Sequence, residues 1–235
     1  MEIIGIIPAR RGSKGIKNKN IKRLNEKPLI QYSISQALKS NITRVIVNTE
    51  DPKIASMAKS FGAEIPFLRP KKLADDISTN FDVIKDTIDF FRKQSYFPDI
   101  VLLLQPTSPF RTKDIINKSI SLLKTKKVSS VISVKKVKEH PDIMLKKYQR
   151  FLKPISKDFL KHSKRQSRSP LFVPSGVVYT FWANNIKKYA SLYGPKIHPF
   201  LIDDEKINID IDSPFDFFIA EMTAKHWNRN KNKFN

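Results

Sequence analysis

The sequence predicts an α/β fold in which one mostly parallel sheet carries helices on both of its faces. Short apolar runs such as EIIGIIP and DIVLLLQP are continuous, which is typical of strands buried on both sides. Between these runs lie segments whose apolar residues recur at helical spacing. This alternation favours parallel strands joined by helical crossovers, and such sheets bind ligands at the carboxyl ends of their strands.

The predicted elements follow one another along the chain. Strands are predicted for EIIGIIP, RVIVNTE, DIVLLLQP, VSSVISV and GVVYTFW, and further extended pieces for AEIPFLRP, KIHPFLI and KINIDID. Helices are predicted for PLIQYSISQALKS, DPKIASMAKSF, NFDVIKDTIDFFRKQ and TKDIINKSISLLKT, with a short helix after GVVYTFW. Pro52 suits the start of the second helix, where a missing N–H group does no harm. The last helix begins with Ser213 as its cap, Pro214 at the first position and Asp216 three residues after the cap.

The alternation is interrupted between residues 136 and 170. This segment is highly charged and weakly periodic, but it has too many apolar side chains for a disordered linker. We expect an inserted arm that packs on another surface, such as a second subunit. The chain 1–235 would then be one domain, with a basic tail at 227–235. The apolar residues of the arm are Ile143, Met144, Leu145, Tyr148, Phe151, Leu152, Ile155, Phe159 and Leu160.

The composition restricts the classes of partner. Lysine and arginine number 44 against 22 acidic residues, which gives a formal net charge of +22. This excess indicates a polyanionic partner, namely a nucleotide, a nucleic acid or an acidic membrane, unless the scattered lysines only solvate the surface. The absence of cysteine excludes disulfides and thiolate metal sites.

The N-terminal segment does not have the pattern of a signal peptide. Its apolar stretch is short, and its positive charges follow that stretch instead of preceding it. No window approaches the roughly 20 apolar residues that span a bilayer. We therefore expect a soluble, cytoplasmic protein that does not bind a membrane.

The loop after the first strand, ARRGSKGIKNKN, is the first candidate site. Gly12 and Gly15 allow tight turns and bring backbone N–H groups close to a ligand, while cations can neutralise phosphate. The loop matches neither the Walker A pattern nor G-x-G-x-x-G. It therefore predicts a phosphate site outside those two classes. Its cations are Arg10, Arg11, Lys14, Lys17 and Lys19.

Two further motifs suit nucleotide chemistry. In NIDIDS, Asp210 and Asp212 would point to the same side of an extended segment, where two carboxylates suit Mg²⁺ together with substrate phosphates. A half-buried strand without a metal is the alternative. In LLLQPTSPFR, Gln105 would lie at the carboxyl end of a buried strand, where its amide can donate and accept hydrogen bonds from a base or a sugar. Together the three motifs suggest nucleotidyl transfer.

The motifs resemble, in the right order, those of the acylneuraminate (CMP-sialic acid synthetase-like) cytidylyltransferases, which activate acidic nine-carbon sugars. The resemblance rests on IPARRGSKGIKNKNI, LRPKKLADDIST, LLLQPTSPFR, the Arg165–Gln166 pair and IDIDSPFDF, and it extends to about residue 222. It implies a Rossmann-like domain and a homodimer formed through the inserted arm. It also implies transfer of CMP from CTP to a 2-keto acid sugar, with release of pyrophosphate.

The resemblance implies roles for individual residues. Lys19 and Arg10 would stabilise charge on the transferring group, and Asp210 and Asp212 would hold the cofactor Mg²⁺ and count among the catalytic residues. The residues implied to bind the nucleotide are Arg10, Gly12, Ser13, Lys14, Lys19, Asn20, Arg69 and Thr79. The residues implied to bind the sugar are Gln105, Arg165, Gln166 and Ser175.

Three positions depart from the family's pattern. The chain reads VPSG where sialic-acid enzymes commonly have RPNG, so Val173 and Ser175 replace an arginine and an asparagine that face the sugar. Glu50 replaces an aspartate that is usual after the second strand. The acceptor is therefore open among sialic, legionaminic, pseudaminic and other nonulosonic acids, and the eight-carbon acid Kdo. Kdo enzymes have a pattern similar to Q-G-D-E-P at the positions where this chain has Q-P-T-S-P, and this difference argues against Kdo.

Two interpretations without catalysis are also open. The charge of +22 and the basic stretch 145–168 would suit a nucleic-acid-binding protein, although no aromatic platform and no helix-turn-helix pattern accompanies them. A sugar-nucleotide sensor on the same fold would leave the Asp210–Asp212 pair unused. The enzyme interpretation accounts for all three motifs, and it predicts CTP and an acidic sugar as partners and no nucleic acid.

Overall fold

A computed structural model describes residues 1–159 and 169–230. The strands are β1 (Ile3–Pro8), β2 (Arg23–Leu24), β3 (Lys27–Pro28), β4 (Arg44–Asn48), β5 (Ile100–Leu103), β6 (Ser130–Lys136), β7 (Leu145–Tyr148), β8 (Phe151–Pro154), β9 (Phe172–Trp182) and β10 (Ile197–Leu201). The helices are α1 (Leu29–Leu38), α2 (Pro52–Ser60), α3 (Asn80–Lys93), α4 (Lys113–Thr125), α5 (Asn184–Tyr189) and α6 (Pro214–Asn230).

The central sheet has six strands in the order β10, β6, β9, β5, β1, β4. β1 pairs in parallel with β4 and β5, and β10 pairs in parallel with β6. β9 runs antiparallel to both of its neighbours, β5 and β6. The predicted mostly parallel sheet is therefore confirmed, with one antiparallel strand in its middle.

The strand β1 shows why helices cover both faces of the sheet. Ile3 and Ile7 belong to a core that includes side chains of α1, α2 and α4. Ile4 and Ile6 belong to a second core, on the other face, with side chains of α3 and α5. Burying a side chain of this size contributes about 1.5–3 kcal/mol, so a strand that is apolar at every position requires cover on both sides.

A third, smaller core attaches the opening loop to the end of the chain. Ile16 of the loop packs in one cluster with Ile211 and with Phe217 of α6. The Lys19 ammonium group adds a hydrogen bond of 2.7 Å to the backbone oxygen of Ile211, 192 positions away. The loop and the NIDIDS motif are therefore one packed unit, although the sequence separates them widely.

The approach of the loop to residue 212 is close enough to require glycine at position 15. A Cβ atom on Gly15 would lie 2.0 Å from the carbonyl oxygen of Asp212, which is shorter than any van der Waals contact. A Cβ atom on Gly12 would meet nothing within 4 Å. Packing within the protein therefore explains Gly15, whereas Gly12 borders open space.

Two segments predicted to be extended form no strand. The segment 63–70 makes one isolated bridge, between Ile46 and Glu64, and is irregular beyond it, because Pro66 and Pro70 have no N–H group for a ladder. The segment 206–212 contains no strand either. The carboxylate of Asp204 accepts hydrogen bonds from two backbone N–H groups that follow it, and the resulting turn interrupts extended pairing.

The region predicted as an inserted arm contains a hairpin. β7 pairs antiparallel with β8, and every residue of both strands is exposed. Residues 160–168 lie outside the described residues, so the bounds 136–170 stay a prediction. At the C-terminus α6 continues to Asn230, and residues 231–235 of the predicted basic tail also lie outside the described residues.

Among the described residues, no helix is long and apolar enough to cross a membrane.

The contact at Gly15 predicts a sharp difference between two alanine variants. We expect Gly15→Ala to lower the free energy of unfolding by about 1–3 kcal/mol, because the new methyl group collides with backbone. Gly12→Ala is the matched control, and it should be neutral or slightly stabilising, since alanine restricts the unfolded chain. Urea unfolding followed by circular dichroism measures both. Equal stability of the two variants would contradict the close approach of the loop.

Candidate active site

A cavity of about 570 Å³ opens at the carboxyl ends of β1 and β5. Its wall includes Pro8, the last residue of β1, and Gln105, which lies two residues after β5. This is the edge at which α/β sheets bind ligands, and the volume is in the usual range for a small-molecule site. Most of the residues predicted for the site line this cavity, namely Arg10, Ser13, Lys14, Lys19, Asn20, Arg69, Thr79, Gln105 and Asp212.

The other predicted residues lie elsewhere. Gly12 is exposed on the opening loop and is not part of the cavity wall. Ser175 and Asp210 are not part of the cavity wall; Oδ2 of Asp210 would lie 3.6 Å from a Cβ atom on Gly176, the residue after Ser175. Arg165 and Gln166 fall outside the described residues. The structure therefore brings together the nucleotide-binding set except Gly12, and only part of the sugar-binding set.

Hydrogen bonds with the side chains of Asn20 and Glu50 fix the backbone of the opening loop. The side-chain amide of the buried Asn20 donates to the backbone oxygen of Arg10 at 2.8 Å. The backbone N–H of Arg11 donates to Oε1 of Glu50 at 2.7 Å. Glu50, one of the departures from the family's pattern, therefore supports the loop through its carboxylate. Its second oxygen, Oε2, is buried and has no hydrogen-bond partner among the described residues.

Lys19 connects the opening loop to Asp212. Its Nζ lies 3.1 Å from Oδ1 of Asp212, in addition to its bond to the Ile211 carbonyl. The Lys19 side chain is 12% exposed, whereas that of Asp212 is 75% exposed. The cation predicted to stabilise the transferring group thus lies against a carboxylate predicted to bind metal.

Arg69 is a buried cation in the wall of the cavity. Its guanidinium donates to the side-chain oxygen of Asn48 at 2.5 Å and to the backbone oxygen of the same residue at 2.6 Å. Burial lowers the pKa of Arg69 to about 10, and the charge of Glu50 opposes this shift. These contacts connect the end of β4 to the cavity wall.

Thr79 lines the cavity at the start of α3, where it also has a structural task. Its hydroxyl donates to the Asp82 carboxylate at 2.7 Å, and the backbone N–H of Asp82 bonds back to that hydroxyl at 3.3 Å. This is a capping box, which satisfies N–H groups at the helix start. In this structure the Thr79 hydroxyl is therefore engaged in capping α3.

An acidic turn faces the opening loop, and no motif pointed to it. Oδ1 of Asp76 lies 2.7 Å from Nη1 of Arg10, and Oδ2 lies 3.0 Å from Nζ of Lys14. The same Nη1 donates to the backbone oxygen of Asp75 at 2.9 Å. The only hint in the sequence was a pair of adjacent aspartates inside LRPKKLADDIST, in a chain poor in acidic residues.

A group of buried polar atoms, which we call the inner polar cluster, surrounds Gly176. A Cβ atom on Gly176 would lie 3.1 Å from Oε1 of Gln105, 3.3 Å from Oγ of Ser108 and 3.6 Å from Oδ2 of Asp210. The φ angle of 78° at Gly176 also favours glycine. We include in the cluster Ser175, the residue that precedes Gly176 on β9, because its Oγ is also buried.

The inner polar cluster has unsatisfied hydrogen-bonding capacity. Oγ of Ser108, Oγ of Ser175 and Oδ1 of Asp210 are buried and have no partner among the described residues. Buried polar atoms without partners are uncommon in folded proteins, and several in one place indicate a position for a ligand or for water. The cluster adjoins the cavity at Gln105, which belongs to both.

Arg111 lies beneath the inner polar cluster and was not identified from the sequence. Its side chain is fully buried, and its guanidinium donates to the backbone oxygens of Val177 and Gln105 and to Oγ of Ser33. Burial lowers the pKa of Arg111 to about 9, and the charge of Asp210 opposes this shift. Arg111 therefore connects the end of β5 to β9, on which Ser175 and Gly176 lie.

The two aspartates of NIDIDS have different surroundings. Burial raises the pKa of Asp210, a hydrogen bond with Thr107 opposes this shift, and the charge of Asp212 adds to it. Asp212 instead faces the cavity. No group of three or more His, Cys, Asp or Glu side chains is placed to hold a metal within residues 1–159 and 169–230.

The arrangement suits two anionic or polar ligands held side by side. Cations from one loop line the outer cavity, where they can neutralise a polyphosphate. Unpartnered hydroxyl, amide and carboxylate groups lie at the inner end, where they can orient a polar second substrate. Charge neutralisation and positioning are the main contributions that a protein makes to phosphoryl-type transfer.

Comparison with known proteins agrees with this geometry. The chain matches the family model "Cytidylyltransferase" over residues 4–169. It is 33% identical to the CMP-N,N'-diacetyllegionaminic acid synthase of Legionella pneumophila, over 94% of this chain and 95% of that protein. It is also 33% identical to the N-acylneuraminate cytidylyltransferase of Escherichia coli, covering 98% of this chain and 54% of that protein.

The fold is similar to that of a solved CMP:2-keto-3-deoxy-manno-octonic acid synthetase in complex with CTP. The TM-score is 0.69 at 16% identity, over 96% of this chain and 99% of that one. At this identity the likeness concerns the fold. The match of the family model and the two relatives at 33% identity decide the membership. The chain belongs to the cytidylyltransferase family.

Proposed function

We propose that the protein transfers CMP from CTP to the anomeric hydroxyl of an acidic 2-keto sugar and releases pyrophosphate. The acceptor is a nonulosonic acid such as sialic, legionaminic or pseudaminic acid, and the names of the two relatives at 33% identity support sialic and legionaminic acid. The observation that carries the proposal is the cavity itself. It joins the loop cations to the inner polar cluster through one residue, Gln105.

CTP would occupy the outer part of the cavity. The Lys19 ammonium group is best placed to neutralise the transferring phosphoryl group, because it lines the cavity and lies 3.1 Å from Oδ1 of Asp212, a proposed metal ligand. Arg10 and Lys14 would bind the two terminal phosphates, which leave as pyrophosphate. The other residues proposed for nucleotide binding are Gly12, Ser13, Asn20, Arg69 and Thr79.

The sugar would occupy the inner end. Its anomeric oxygen attacks the α-phosphorus of CTP, the bond from that phosphorus to the pyrophosphate oxygen breaks, and the hydroxyl proton passes to water. Gln105 and Ser175 would accept and donate hydrogen bonds to the sugar, together with Ser108, which the motifs had not suggested. Arg165 and Gln166 are proposed sugar ligands on the resemblance alone, because the described residues do not include them.

Asp210 and Asp212 would hold Mg²⁺. The donor set fits, because Mg²⁺ is usually bound by one or two carboxylates together with substrate phosphates, and the buried Oδ1 of Asp210 has no hydrogen-bond partner in the part of the chain that the structure describes. When bound, the ion would polarise phosphate oxygens and neutralise their charge. We further propose that the reaction takes place in the cytoplasm, where CTP is available.

The exposed hairpin of β7 and β8 would form the contact of a homodimer. Large apolar side chains are exposed on both strands, including Phe151 at 57% and Leu152 at 63%. Apolar side chains clustered in this way on a surface mark an interaction site. A second copy of the chain is the proposed occupant, with the inserted segment 136–170 as the dimerisation arm.

The first test is a screen for pyrophosphate release with CTP, Mg²⁺ and a panel of 2-keto acid sugars. We expect turnover with at least one nonulosonic acid and, with that sugar, a loss of about 100-fold or more in kcat for Asp212→Asn, as removal of a key charge-stabilising group typically causes. Turnover only with Kdo would show that the acceptor is Kdo and not a nonulosonic acid. Absence of CTP binding by the folded protein would refute the proposal.

The second test concerns stability against pH, measured without metal. The pKa of Asp210 is raised in the folded protein, so the native state holds this proton more tightly than the unfolded chain does. The wild type therefore loses stability as pH rises from the unfolded pKa through the folded one. We expect Asp210→Asn to be more stable than the wild type at pH 7, with a smaller difference at pH 4.

Asp212→Asn is the matched control for this stability measurement, because its carboxylate is 75% exposed. It should show no such gain at pH 7. If Asp210→Asn proves less stable than the wild type at both pH values, the burial of an unfavourable charge at this position is refuted. Both variants should lose activity in the pyrophosphate assay.

The third test concerns the dimer. We expect the wild type to sediment as a dimer, and the double variant Phe151→Glu/Leu152→Glu to sediment as a monomer, because two charges would be buried in the contact. Phe97→Glu is the control, since Phe97 is 66% exposed and lies outside the hairpin. A monomeric wild type, or a dimer that survives both hairpin substitutions, would contradict the proposed arm.

A further inference from the structure

Asp76 binds the two loop cations in the manner of a phosphate group. Its two carboxylate oxygens each contact one cation, at 2.7 Å from Arg10 Nη1 and at 3.0 Å from Lys14 Nζ. Two oxygens of one phosphate would bridge the same pair of cations in the same way. Arg10, Lys14 and Asp76 all line the cavity, so a phosphate and this carboxylate cannot both hold these positions.

The turn that presents Asp76 is ordered by its own hydrogen bonds. Oδ1 of Asp75 accepts from the backbone N–H groups of Ile77 and Ser78 and from the Ser78 hydroxyl, at 3.2, 2.8 and 2.6 Å. The capping box of α3 follows directly at Thr79. Asp76 is thus held at the cavity by structured backbone.

The cations that Asp76 contacts favour its ionised form. Hydrogen bonds from Lys14 and Arg10 lower the pKa of Asp76, so the carboxylate, which is ionised at neutral pH in any case, stays ionised further into acid. An ionised acid in the wall of a polyphosphate site repels the ligand as well as competing with it. Removing it should therefore strengthen binding of any phosphate ligand that reaches these cations.

We propose that Asp76 is an internal competitor, which occupies Arg10 and Lys14 in the free protein, is displaced by the triphosphate and returns to the cations as pyrophosphate leaves. The identity of the triphosphate rests on the proposed function. The competition itself rests on the three side chains. Asp76 thereby limits the affinity of the site for unrelated phosphate compounds and for pyrophosphate, a product of the reaction.

The experiment compares Asp76→Asn with wild type by isothermal titration calorimetry, with pyrophosphate, CTP and cytidine as ligands, first in EDTA and then with Mg²⁺. Two partly exposed ion pairs are replaced, so we expect the Kd of pyrophosphate and of CTP to fall by about threefold to tenfold. The Kd of cytidine, which has no phosphate, should be unchanged. In the turnover assay, inhibition by pyrophosphate should strengthen by a similar factor.

Glu205→Gln is the matched control, because it also removes one negative charge and one exposed ion pair, with Lys138 at 3.4 Å, and it lies outside the cavity wall. Its affinities should equal those of the wild type. Asp76→Ser serves as a second variant, and melting curves check that both variants fold.

Four outcomes would be decisive. A gain in affinity for pyrophosphate and CTP confined to the Asp76 variants supports the competition. Unchanged or weaker binding in those variants, or an equal gain in Glu205→Gln, overturns it and leaves the proposed function intact if the wild type binds CTP. A gain for pyrophosphate without CTP binding by any protein would refute the proposed function alone. No binding of either ligand would refute both.

Discussion

The contact between the opening loop and the segment 210–212 is the constraint on which the site depends. Gly15 lies directly against the carbonyl oxygen of Asp212, and Lys19 donates to the carbonyl of Ile211, across 192 positions of sequence. Ile16 and Ile211 share a core that excludes water from the junction. Because of this contact, the cations at one end of the chain and the carboxylates at the other meet over the same sheet edge.

The described cations of the site are held by oxygens of the protein itself. Lys19 contacts Asp212, and Arg69 and Arg111 donate to backbone and side-chain oxygens. Such pairing reduces the penalty of collecting positive charge in one cavity. It also means that a charged ligand exchanges one set of contacts for another, so that the net affinity is a difference between two large quantities.

Several unfavourable features of the structure lie at the inner end of the cavity. Burial raises the pKa of Asp210, and hydroxyl groups of Ser108 and Ser175 lack partners among the described residues. Proteins commonly tolerate such local violations where a ligand completes the interactions. The antiparallel strand β9 brings Ser175 and Gly176 to this point, and Arg111 holds β9 against the end of β5.

Much of the fold and of the nucleotide end was determined by local sequence pattern. The continuous apolar runs of β1 and β5, the helical spacing in α3, the cap at Ser213 and the glycine-containing loop all act over a few residues, where periodicity and propensity are informative. Arg10, Lys19 and Gln105 line one cavity. Their proximity could be predicted, because ligands bind at the carboxyl ends of parallel strands.

Tertiary structure alone decided the remaining features. The direction of β9, the pairing of Asp76 with Arg10 and Lys14, and the burial of Arg111 arise between segments far apart in the chain. The segments 63–70 and 206–212, expected to be extended, form no strand, because prolines lack N–H groups and the turn at Asp204 engages the backbone N–H groups that follow it. Periodicity reports only which face of an element is apolar, whereas the partner of a buried charge depends on how distant elements pack.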